Sequence, residues 1–150
     1  MLGSALLSGV FGGEPLRVME MFAGVGGFRL GLEGGNALDA SSNPAFRVVW
    51  SNQWEPSTRK QHASDVYTAR WGSQGHHNED IFQLLQGGPA LEALLAARPQ
   101  VLVGGFPCQD YSVAKPADQA KGLEGKKGVL WWAIYDALKL FRLALSQCST

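Results

Sequence analysis

The sequence predicts an α/β fold, with parallel strands in one sheet and helices packed on both of its faces. Short β-branched or aromatic runs alternate with stretches of helical spacing, and a glycine-rich turn directly follows the first run. The clearest run, Val101–Phe106, opens in the same way into a long loop of glycines, lysines and small residues. Sheets of this kind bind ligands beyond the carboxyl ends of their strands, which is where both loops are expected to lie.

Taken in order, Met1–Glu14 is small and apolar ahead of Pro15 and reads as a loose arm, residues 1–15 in all. Residues 16–150 then form one domain. Leu16–Phe22 (LRVMEMF) is a short buried strand that stops at the turn Ala23–Gly27. A helix starting near Gly26 carries Phe28, Leu30 and Leu32 until Gly34-Gly35 ends it. Asn36–Pro44 is polar enough for a surface loop, and Phe46–Asn52 (FRVVWSN) is the second strand. Pro56 suits the first turn of a helix running towards Trp71, with Ala63, Val66 and Tyr67 at helical spacing. Gly72–Glu79 is polar and holds two adjacent histidines, and Asp80-Ile81 is expected to close a short third strand. Pro89–Arg98 has a helical composition, and the Val101–Phe106 strand follows it. From Gly128 to Leu145, Leu130, Ile134, Leu138, Phe141 and Leu145 mark the buried side of a last helix. Asp136, Lys139 and Arg142 form its polar stripe.

Composition excludes several classes. The 150 residues are 45% hydrophobic, ordinary for a globular chain, and 13 basic residues balance 13 acidic ones. A global basic excess of the kind that phosphate contacts demand is absent, so composition does not point to nucleic acid. Cys108 and Cys148 supply neither a disulfide framework nor a paired zinc motif, and no metal is expected. No apolar run is long enough to cross a bilayer, and Met1–Val10 lacks a basic leader. A cytoplasmic location, with Cys108 reduced, is the resulting expectation.

Chemistry concentrates at the predicted strand ends. In the turn Phe22-Ala23-Gly24-Val25-Gly26-Gly27, missing Cβ atoms let a ligand approach the backbone, and free helix N–H groups can meet a carboxylate. A ligand with an adenosine and an amino-acid carboxylate suits such a site, although a tight turn serving only the fold explains the glycines equally well. Ser51-Asn52-Gln53-Trp54-Glu55 follows the second strand, where the ribose sits in such folds. Trp54 is the natural surface for adenine, or else a cover for the sheet edge. Asp80 can accept from an adenine amine or cap a helix. The sharpest feature is Gly104-Gly105-Phe106-Pro107-Cys108-Gln109-Asp110-Tyr111-Ser112. A cysteine held just past a strand and a proline is a candidate nucleophile, because thiolate reacts strongly even at modest pKa.

The stretches FAGVGGFRLGL, GGFPCQDYSVA and GLEGKKGVLWW resemble, in order and spacing, the donor loop, nucleophile loop and following motif of cytosine-C5 DNA methyltransferases. The likeness runs from about residue 16 to residue 145. It implies part of a Rossmann-like, S-adenosylmethionine-dependent methyltransferase sheet. By this resemblance Phe22, Gly24, Val25, Gly26 and Gly27 hold S-adenosylmethionine, Trp54 packs on adenine, and Asp80 with Ile81 faces its amino group. Gln53 stands where the family usually has a glutamate for the ribose hydroxyls; it keeps an acceptor but loses charge, and Glu55 is a possible compensation. Cys108 matches the catalytic nucleophile, with Pro107 shaping its loop and Gln109 and Ser112 near the target. Lys127 stands where many members carry arginine, so charge is kept without the two-pronged contact.

The implied reaction adds the Cys108 thiolate to C6 of a cytosine swung out of duplex DNA, which makes C5 electron-rich enough to take the methyl group. The Asp110–Lys127 segment resembles the loop that closes over that base. In it Lys115, Lys121, Lys126 and Lys127 outnumber Asp118 and Glu124, a pattern suited to phosphate contact or to a solvated loop. The resemblance also implies a bacterial or phage-like setting, restriction-modification among the candidates. Members of the family continue with a Glu-Asn-Val strand, a basic strand and a target-recognition region that are not in these residues. About half a sheet is therefore expected, with the Val101–Phe106 strand beside Leu16–Phe22. The chain by itself is expected to be marginally stable and inactive, a fragment, a remnant, or a piece completed by a separate C-terminal chain. The rival readings are a nonenzymatic nucleoside- or nucleic-acid-binding remnant, an RNA cytosine methyltransferase, and half of a dinucleotide-binding dehydrogenase. The last offers no account of Cys108.

Overall fold

The computed structural model describes residues 13–34, 45–105 and 130–147, with side chains in the last segment through residue 140. Four strands form one all-parallel sheet: β1 (Leu16–Met21), β2 (Phe46–Asn52), β3 (His76–His77) and β4 (Val101–Gly104), in the order β3-β2-β1-β4. The expected pairing of the Val101 strand with the Leu16 strand is present. The helices are α1 (Gly27–Glu33), α2 (His62–Trp71), α3 (Ile81–Leu84), α4 (Pro89–Ala97) and α5 (Leu130–Gln147). None of the described helices is long and apolar enough to cross a membrane.

Alternation along the strands sorts the two faces. Met19, Met21 and Trp50 join Ile81, Leu84, Ala90, Leu94, Ala133, Ile134 and Ala137 in one core under α3, α4 and α5. On the other face Ala23 packs with Tyr67 and Trp71 of α2. Glu20, one residue from both Met19 and Met21, meets the Tyr67 hydroxyl on that second face. β3 divides in the same manner, His76 stacking on Tyr67 and His77 on Trp50.

Several expectations need correcting. The third strand is His76–His77, and Asp80 does not close it; Asp80 caps α3, its Oδ1 accepting from the Phe82 N–H at 2.9 Å. Two residues suffice for this strand because their neighbours, Ser51 and Asn52, are already held by β1. The second helix begins at His62 rather than Pro56, since the Glu55–Gln61 segment is held in a loop by its own side-chain bonds. Its buried residues are Ser64, Tyr67 and Trp71, while Val66 is exposed. α1 has no buried residue, so Phe28, Leu30 and Leu32 do not form a core stripe.

On α5 the buried side is Ala133, Ile134 and Ala137; Leu138 is exposed, together with Trp131, Trp132 and Tyr135. Small residues face the sheet here because they let the helix approach it closely, which a periodicity count of large apolar residues overlooks. Phe141, Arg142 and Leu145 have side chains outside the described set. Residues 1–12, which make up most of the expected arm, also lie outside it, as does the Asn36–Pro44 loop.

Candidate functional site

Registration of the strands puts their carboxyl ends in one row. Met21 of β1 is opposite Asn52 of β2 on one side and Gly104 of β4 on the other, and Asn52 is opposite His77 of β3. The residues that leave this row are Phe22, Gln53, Asn78 and Gly105. Phe22, Gly24, Val25, Gly26, Gly27, Gln53, Trp54, Asp80 and Ile81 are thereby gathered at or near one edge of the sheet.

The turn after β1 is built by reversal of the backbone. Phe22 has φ 53, Gly24 φ 57 and Gly26 φ 87, three left-handed residues within five positions. Phe22 pays this strain beside the main core, against which its ring packs. At Gly26 a Cβ would lie 2.3 Å from Trp71 Nε1, so glycine is required by the packing of α2 as well as by φ. At Gly24 and Gly27 nothing lies within 4 Å of a Cβ position, which leaves open space over the turn. Val25 in the turn is 53% exposed, and Trp54 after β2 is 37% exposed.

Gln53 bridges the two loops. Its Oε1 accepts from the Gly24 N–H at 2.8 Å, and its own N–H donates to the His77 carbonyl at 3.1 Å. The acceptor that replaces the family's usual carboxylate is therefore engaged by the glycine turn. Glu55 Oε1 accepts from the Ser57 hydroxyl at 2.6 Å in the following turn. Ile81 is buried in the main core beneath Asp80.

Behind the turn lies a buried polar network that sequence reasoning missed. Glu20 is wholly buried and accepts from the Tyr67 hydroxyl at 3.0 Å and from the Arg29 N–H at 3.3 Å. Arg29 Nε pairs with Glu33 at 2.8 Å, and Glu33 Oε1 accepts from the Val48 N–H at 2.6 Å, tying α1 to β2. Burial raises the Glu20 carboxyl above its usual range and pushes the Tyr67 hydroxyl up to about 12. His76 bridges Ser51 at 2.9 Å and Ser64 at 2.8 Å, and burial lowers its imidazole to about 4. The two adjacent histidines are visible in the polar Gly72–Glu79 stretch, but their partners Ser51 and Ser64 on other elements are not.

Cys108, Pro107, Gln109, Ser112 and Lys127 lie outside the described residues. What is described is the strand leading to them. β4 ends at Gly104 beside Met21, and a Cβ on Gly105 would stand 3.5 Å from the Phe28 ring of α1. Gly104 and Gly105 thus stand at the end of the sheet that carries the glycine turn. Among the described residues no group of histidine, cysteine, aspartate and glutamate could hold a metal ion.

A family model described as C-5 cytosine-specific DNA methylase matches residues 16–142. The chain is 47% identical over 121 residues to the Type II methyltransferase M.Sau3AI of Staphylococcus aureus, covering 81% of this chain and 27% of that protein. It is 31% identical over 119 residues to the Type II methyltransferase M.HhaI of Haemophilus parahaemolyticus, covering 79% and 28%. With the Type II methylase M.HgiEI of Herpetosiphon aurantiacus it shares 32% identity over 120 residues, covering 79% and 22%. The chain spans about a quarter of the length of these relatives.

Proposed function

The chain belongs to the C-5 cytosine-specific DNA methylase family, and on that footing we propose that it serves methyl transfer from S-adenosylmethionine to C5 of cytosine in duplex DNA, with Cys108 as the nucleophile. The observation that carries this reading is the single row of strand ends, from which the glycine turn, the Gln53-Trp54 pair and the Gly104-Gly105 exit towards Cys108 all depart. The donor residues also fit the group: open space over Gly24 and Gly27 admits a ligand to the backbone, and the exposed Trp54 indole offers a flat face for adenine.

When bound, S-adenosylmethionine supplies a methyl group carried on a cationic sulfur. Phe22 and the turn Gly24, Val25, Gly26 and Gly27 line its path, and Ile81 underlies the adenine side. Asp80 spends one oxygen on capping α3, and its second oxygen suits the adenine amine. Gln53 is the ribose contact: one lone pair of its Oε1 accepts from the Gly24 N–H, and the second is left for a ribose hydroxyl.

Cys108 supplies the chemistry on the base. Its thiolate would add to C6, the C5–C6 double bond would give up its electrons to C5, and C5 would form the new carbon–carbon bond as the methyl–sulfur bond of the donor breaks with its electron pair left on a neutral thioether sulfur. Loss of the C5 proton restores the double bond and expels the thiolate, so the cysteine is regenerated. A base in a duplex must first leave the stack, and Pro107, Gln109, Ser112 and Lys127 are the residues assigned to holding it and its backbone.

The test is covalent trapping. Duplex DNA with 5-fluorocytosine replacing cytosine throughout, incubated with the protein and S-adenosylmethionine, is expected to give a denaturation-resistant protein–DNA species, a single event that accumulates even where turnover is negligible. Fluorine cannot leave as the proton does, so the adduct persists, and Cys108→Ser should abolish it. Donor binding by calorimetry without any adduct would instead favour a nonenzymatic nucleoside-binding role.

A further inference from the structure

Trp54 is flanked by two residues whose main chains are held by side chains from other positions. Before it, the Gln53 carbonyl accepts from Asn78 Nδ2, and the Gln53 N–H donates to the His77 carbonyl at 3.1 Å. After it, the Glu55 N–H donates to Gln61 Oε1 at 2.8 Å, and the Glu55 carbonyl accepts from Gln61 Nε2 at 2.8 Å. Gln61 Nε2 also donates to the Thr58 carbonyl at 2.9 Å, and Gln61 Oε1 also accepts from Asn78 Nδ2 at 3.2 Å. A carboxamide has two donor hydrogens and two acceptor lone pairs, so Gln61 uses its whole capacity on this loop.

Gln61 is the N-cap residue of α2, yet its side chain makes no cap bond to that helix. A residue at this position ordinarily satisfies the first helical N–H groups. Here the side chain turns back to substitute for the missing ladder of a segment with neither helix nor strand between Gln53 and Gln61. The indole it brackets remains 37% exposed. Pinning the residues before and after Trp54 fixes the backbone that presents its indole, which lowers the part of the ordering cost that binding would otherwise meet.

We propose that Gln61, assisted by Asn78, is a positioning residue that presets the Trp54 indole as the stacking platform for the adenine of the methyl donor; this rests on the donor-site reading above. Gln61 does not touch the donor. It acts through Trp54, and that is what distinguishes it from a residue that merely stabilises the fold.

The experiment is a double-mutant cycle on S-adenosylmethionine affinity, measured by calorimetry on the whole chain with Gln61→Leu, Trp54→Ala and the pair. Gln61→Leu is expected to weaken binding about threefold to tenfold, the loss that corresponds to ordering one bulky side chain. In the Trp54→Ala background the same change is expected to add nothing. Asn78→Ala, which leaves Gln61 in place, should show a smaller loss that also vanishes with Trp54→Ala. Unchanged affinity in Gln61→Leu, or a loss that persists without Trp54, would overturn the inference while leaving the donor site intact. Unweakened binding by Trp54→Ala itself would remove both.

Discussion

Gln53 sits at the point where two demands on one oxygen meet. Its Oε1 accepts from the Gly24 N–H, whereas a carboxylate could serve that N–H and a ribose hydroxyl with separate strong acceptors. Gln53→Glu is therefore expected to tighten S-adenosylmethionine binding by about fivefold to tenfold, since a charge-assisted bond is roughly twice as strong as a neutral one. Calorimetry checks this directly, and equal or weaker binding would remove Gln53 from the donor contacts. At this scale the sequence located Gln53 and Trp54 directly after the second strand, where they lie. It was silent on Glu20, Tyr67, His76 and Gln61, whose partners stand 47 positions away for Glu20–Tyr67 and 25 for Ser51–His76. No local pattern announces such a pairing.

At the scale of elements, the glycine turn shows two glycines with different reasons. Gly26 is held by φ 87 and by Trp71 Nε1 at 2.3 Å from a Cβ position, whereas Gly27 opens α1 with nothing nearby. Gly26→Ala is expected to destabilise the protein by about 2–3 kcal/mol through strain and overpacking. Gly27→Ala should be neutral or stabilising by up to about 1 kcal/mol, as it removes unfolded-state freedom at a helical position. Urea denaturation of both variants measures the contrast, and similar losses in the two would show that Trp71 does not dictate the turn. Element boundaries shifted from expectation for comparable reasons. Side-chain bonds around Gln61 delay α2 to His62, and on α5 the small Ala133 and Ala137 join the expected Ile134 and Leu130 against the sheet while Leu138 is exposed.

For the molecule as a whole, the buried polar layer between α2 and the sheet gives stability a pH dependence. His76 faces Ser51 on β2, Ser64 and Tyr67 on α2, and feels Arg29 on α1 and its neighbour His77. Burial holds its imidazole at about 4, below the ordinary 6.5. The unfolded chain therefore takes up the proton first on acidification, and the stability contributed by neutral His76 is complete above 6.5 and lost as pH falls towards 4. Glu20, raised by burial, acts oppositely: its contribution is present below its ordinary 4.5 and is lost as pH rises through its elevated folded value. The urea midpoint is expected to fall between about pH 7 and about pH 4.5. His76→Gln should start lower at neutral pH yet lose less across that interval. An unchanged slope in the variant would assign the acid sensitivity elsewhere.

What the sequence determined was everything that depends on local order: the alternation of strands and helices, the reversal at the glycines, and the motifs that identify the family. Short-range sterics and hydrogen bonding impose these within a few residues, so neighbouring letters suffice to read them. The tertiary structure decided which strand ends share a row, that β3 could be two residues long, that the Gln53 side chain accepts from the Gly24 N–H, and that Asn78 holds the Gln53 carbonyl. Those outcomes depend on contacts between segments distant in the chain. Their energies come from packing and from partners found only after the sheet has assembled.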